Sequence, residues 1–120
     1  MSDGTNGSAF NVKDAMGRLM NNKNLYKKLL TRFEGEYGDF YGKVRAAVDA
    51  NNLEDASHLA HTMKGLAGNL GAEALQAASL AIETVFKSGS LTPDIESGME
   101  KFSRELNRAI EEARAGVDMG

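Results

Sequence analysis

Cysteine is absent from the chain, so thiolate catalysis, disulfides and Cys-ligated zinc are excluded. The chain has two histidines, His58 and His61, whose imidazoles can be neutral nucleophiles near physiological pH. Lys64 follows His61 by three residues, Gly65 by four and Gly68 by seven, and Ser57 precedes it by four. On a helix at about 100° per residue, Ala56, Leu59, Ala60, Met63, Leu66, Ala67 and Leu70 set the buried direction, and His61 falls about 170° away from it. It should therefore stand in solvent, with Gly65 and Gly68 within about 40° of it around the axis. Each glycine costs a helix roughly 0.5–1 kcal/mol relative to alanine. Two on an exposed face therefore suit access: another protein could approach the ring unobstructed. A neutral imidazole is a competent nucleophile. A phosphoryl group placed on it brings negative charge and strong acceptor oxygens, which a lysine one turn away can meet as a compact cation. Spacing alone leaves this reading open beside an incidental surface histidine.

The neighbouring features support blander readings. His58 also points outward, but the position three residues on is His61 itself, so it reads as surface. The two histidines with Glu54 and Asp55 complete no inward-facing ligand set of the kind that helical bundles use for metals. Tyr26, Phe33, Tyr37 and Phe40 recur at helical spacing and read as core. Leu80 falls on the exposed side of its helix, a lone apolar residue that could join a docking patch.

The elements that must hold these residues are helical throughout. Phe10 to Met20 reads as a short helix starting near Asn11 or Asp14. Asn21, Asn22 and Asn24 offer caps for the next one. From Leu25 to about Ala50 one apolar stripe predicts a single long helix, ended by Asn51 and Asn52. A third runs from about Leu53 to Leu70 with Gly71 as C-cap. A fourth starts near Ala72, buries Leu75, Ala78, Ile82 and Val85 or Phe86, and stops at Ser88–Ser90, followed by a Leu91–Pro93 loop. A fifth spans about Asp94 to Ala115 on Ile95, Met99, Phe102, Leu106, Ile110 and Ala113. No segment alternates with period two. The expected fold is all-α: an antiparallel up-down four-helix bundle with an additional short N-terminal helix. Residues 1–9 are expected to be a flexible leader or linker, 10–115 the domain and 116–120 a frayed tail.

Composition narrows the function classes further. With 120 residues the chain suits one core. Apolar residues make up 42% and charged residues 26%, as in ordinary globular proteins. A net charge of −3 speaks against a nucleic-acid binder. No apolar run approaches the roughly 18 residues of a membrane span, and the opening MSDGTNGS lacks the charged-then-apolar pattern of a signal peptide. The expected location is cytoplasmic. No glycine-rich phosphate loop is present, since the glycines lie singly in helices.

Residues 61–71, HTMKGLAGNLG, resemble the His-x-x-Lys-Gly signature, with a later glycine, of histidine-containing phosphotransfer (HPt) domains. The longer segments LAHTMKGLAGNLGAEALQAASLAIE and NLYKKLLTRFEGEY resemble the family's helices, and the likeness covers about Phe10 to Leu106. The resemblance implies that His61 accepts a phosphoryl group from an aspartyl phosphate on a receiver domain and passes it to an aspartate on another. Lys64 would steady the phosphate, and Gly65 would admit the receiver's loops, with Gly68 and Ser57 in support. The chain would be a carrier rather than an enzyme, with no cofactor of its own, the Mg²⁺ residing on the receiver. It would be a monomer or tethered to a hybrid sensor kinase, contacting neither nucleic acid nor membrane. Some family members place a glutamine on the helix after the histidine helix, where it can hydrogen-bond the imidazole. The matching exposed position here is Glu83, with Gln76 two turns earlier; a carboxylate there could orient the ring but would repel phosphate. The alternatives are a phosphoacceptor domain of a chemotaxis-type kinase, charged from ATP by a kinase domain, and an inactive helical docking module.

Overall fold

The computed structural model describes residues 9–89 and 93–116. Residues 1–8 of the expected 1–9 leader, the loop positions Ser90, Leu91 and Thr92, and residues 117–120 of the expected 116–120 tail lie outside the described residues. Ala9, expected in the leader, is instead buried, and its N–H donates to Glu112 Oε1 at 2.8 Å. Six helices and no strand occur among the described residues: α1 Val12–Arg18, α2 Lys23–Glu36, α3 Phe40–Asp49, α4 Leu53–Leu70, α5 Glu73–Lys87 and α6 Pro93–Ala115.

Asparagines start three of them. The side chains of Asn11, Asn22 and Asn52 accept hydrogen bonds from the backbone N–H groups of Asp14, Leu25 and Asp55 at 3.0, 3.0 and 3.1 Å, meeting donors that a helix N-terminus leaves unpaired. Gly71 ends α4 with φ 78°. There Ala72 N–H donates to the Ala67 carbonyl and Gly71 N–H to that of Gly68, a Schellman turn.

The single helix expected from Leu25 to about Ala50 is instead two, α2 and α3, separated by Tyr37, Gly38 and Asp39. Gly35, Gly38 and Gly42 dilute helix propensity through this stretch. The apolar stripe survives the break because aromatic rings bridge it. Tyr37 stacks on Phe33 at 6.0 Å and meets Phe40 at 5.6 Å, and Phe40 meets Phe102 of α6 at 6.5 Å. Periodicity reads the stripe correctly but cannot see a turn that keeps the same face inward.

Helix α4 packs against α3 on one side and α5 on the other, while α6 packs against α5 and α2, and α1 lies on α4 and α2. One apolar core joins them, including Phe33, Val44, Met63, Leu70, Ile82, Met99 and Phe102. Within it the Tyr26 hydroxyl donates to the Leu70 carbonyl at 2.8 Å, satisfying a carbonyl at the end of α4. Burial pushes that phenol up to about 12. Phe86, rather than Val85, is the fully buried member of its pair. No described helix is long and apolar enough to cross a membrane.

Candidate functional site

His61 lies on α4 with its side chain 65% exposed. The expected exposure holds, but the direction needs correcting. The outward line of α4 is His58, Thr62, Gly65 and Asn69, and His61 stands about 70° from it, on the side of α5. Helical spacing within α4 cannot show this, because the limits of its buried face depend on which helices flank it.

Glu83 of α5 reaches the ring. Its Oε2 lies 2.9 Å from His61 Nδ1. Its Oε1 lies 2.9 Å from Lys64 Nζ, an ion pair rather than a well-angled hydrogen bond. Lys87, one turn further along α5, places Nζ 3.0 Å from Oε2. Glu83 was expected to be exposed and is instead buried, its side chain only 3% accessible. Burial would raise its pKa, but Lys64 foremost, then Lys87 and His61, hold the carboxyl down at about 2. It is therefore ionised at any physiological pH.

The ionised carboxylate fixes the imidazole. A carboxylate can only accept, so in the neutral ring Nδ1 carries the hydrogen and Nε2 the lone pair. The ring is thus anchored through one nitrogen and presents the other as the nucleophilic atom.

The other expected site residues separate into two groups. Gly65 is exposed, and a Cβ built on it would meet nothing within 4 Å. Gly68 does not face open solvent: it is buried, and a Cβ there would lie 2.7 Å from Nε2 of Gln76. Its missing side chain makes room for α5, whose Gln76 covers it. Ser57 is likewise buried, one turn before His61. His58 is exposed, as expected. Leu80 is 50% exposed, one turn before Glu83 on α5. Lys87 was missed by the sequence reading, although its place four residues after Glu83 is the standard spacing of a helical ion pair. Among the described residues no three of His, Asp and Glu cluster as metal ligands would.

No curated protein and no solved structure matches the chain. A family model for the Hpt domain matches residues 28–116, taking in most of α2 and all of α3 to α6. With that match and an exposed, anchored histidine on α4, the chain belongs to the Hpt domain family, whose members carry out histidine phosphotransfer in two-component signalling.

Proposed function

We propose that this chain is the phosphocarrier of a multistep relay and that His61 is its phosphoacceptor. The observation that carries the proposal is an exposed imidazole anchored through Nδ1 by a buried carboxylate, which leaves Nε2 for chemistry. The lone pair on Nε2 attacks the phosphorus of a receiver's aspartyl phosphate. A P–N bond forms as the P–O bond to the aspartate breaks, its electron pair leaving on the carboxylate. The reverse step delivers the group to an aspartate of a second receiver. Lys64 swings from Glu83 to the phosphoryl oxygens, and open Gly65 lets the receiver's loops close over the ring. The receiver supplies Mg²⁺, and the chain contributes no nucleotide site.

The neighbour relations of the helices support reading the fold as an up-down four-helix bundle in which α2 and α3 together make one arm and α1 an addition. We place the domain in the cytoplasm, as a monomer or tethered to a hybrid sensor kinase, where receivers can reach it.

Transfer from a radiolabelled phosphorylated receiver tests the assignment. The wild type is expected to take up acid-labile label, and the His61→Gln variant none. Equal labelling of both would overturn the role of His61. If a receiver panel and an ATP-charged kinase domain both fail to label the wild type, the chain is a docking module.

A further inference from the structure

A glutamine beside an imidazole can turn its amide to donate or to accept, whereas an ionised glutamate only accepts. Glu83 stands where the resemblance would allow a glutamine, and its Oε2 lies 2.9 Å from His61 Nδ1. The difference matters once Nε2 carries phosphate. Attack by the neutral ring leaves Nδ1 protonated and Nε2 bonded to phosphorus, so the product is first an N-phosphoimidazolium. If Nδ1 then loses its proton, the P–N bond becomes harder to break, because the departing ring would leave as an anion. If the proton stays, the ring departs neutral, the P–N electron pair returning to Nε2.

We propose that Glu83 holds Nδ1 protonated throughout the transfer cycle and thereby keeps phosphorylated His61 a quickly discharging donor. This rests on His61 being the phosphoacceptor. A buried carboxylate 2.9 Å away stabilises the imidazolium and would be left facing a bare lone pair if Nδ1 lost its proton. The lysines on the neighbouring elements would by themselves disfavour a protonated ring, but both are paired with Glu83. From α4, Lys64 meets Glu83 at 2.9 Å, with exposed His58 one turn before the ring; from α5, Lys87 meets Glu83 at 3.0 Å. A phosphoryl group adds nearly two negative charges to this set. It draws the lysines away, so Glu83 loses counter-ions and binds the ring proton more strongly. Replacing Glu83 by glutamine removes the carboxylate that accepts from Nδ1, which favours loss of the ring proton.

The test charges wild type and Glu83→Gln with phosphoramidate, a small phosphoryl donor that needs no receiver. Phosphohistidine decay is then followed by phosphorus NMR from acid to alkaline pH. The variant is expected to decay about tenfold more slowly near neutral pH. Its decay should also fall off at a pH about one unit lower than in wild type. Equal lifetimes with coincident pH profiles would overturn the role of Glu83 while leaving His61 as acceptor. A His61→Gln protein that still takes phosphate from a phosphorylated receiver would instead overturn the phosphoacceptor reading itself. Should Glu83→Gln fail to fold, nitrogen NMR of isotope-labelled histidine in the charged wild type decides. Nδ1 protonated well above the pH expected of a free phosphohistidine supports the proposal, and a deprotonated Nδ1 at neutral pH overturns it.

Discussion

At the residue scale, Gly65 and Gly68 look alike in the sequence and differ in the fold. Gly65 borders open space and Gly68 lies beneath Gln76, so only Gly65 can serve an approaching partner. Replacing Gly65 by leucine should leave helicity and melting temperature at or above wild type, since leucine is the better helix former. Transfer from a phosphorylated receiver should fall at least about a hundredfold, the penalty of a misplaced reacting centre. Charging by phosphoramidate should be untouched, because that donor is small. A parallel loss of both reactions would mean that the side chain disturbs His61 itself rather than access to it.

The helices owe their limits to backbone chemistry more than to their apolar stripes. The turn between α4 and α5 has two independent reasons to be glycine. Gly71 takes φ 78°, and a Cβ there would collide with the Asn11 carbonyl, which lies against the turn because Asn11 N–H donates to the Gly71 carbonyl at 2.7 Å. The turn is thus a clasp holding the start of α1 to the end of α4. Gly71→Ala should destabilise by about 1–3 kcal/mol through backbone strain, with the collision adding to it. Urea denaturation measures this, and a loss below about 0.5 kcal/mol, the range of ordinary surface changes, would show that α1 simply moves aside. Phe40 to Asp49 teaches a related lesson: a break at Gly38 that preserves the inward face leaves no trace in periodicity.

Across the whole molecule the site is also a structural joint. Glu83 ties α4 to α5 through His61 and Lys64. Its carboxyl is held at about 2 against an ordinary value of 4.5, so between those values the unfolded chain binds the proton more readily than the folded one. The stabilisation is complete above about pH 4.5 and is lost as pH falls towards 2. At neutral pH it is worth on the order of 2 kcal/mol, discounted because the histidine and Lys87 face solvent. Wild type should therefore exceed Glu83→Gln in stability at pH 7, and the gap should close between those two pH values. A gap that stays constant with pH would assign the difference to packing rather than to charge.

The sequence by itself determined what is local in the chain. Helix type, the asparagine caps, the glycine stop at position 71, and the row of His61, Lys64 and Gly65 all depend on neighbours within a turn or two, where periodicity and capping rules apply. Only the tertiary structure decided what depends on which helix lies alongside. Glu83 is 22 residues from His61, and its burial, its ionisation and its hold on Nδ1 exist only because α5 packs against that side of α4. The same packing buried Gly68 and Ser57 and left Gly65 open. The free nitrogen of His61 follows from that arrangement too, because a tautomer is fixed by a partner that spacing along one helix cannot supply.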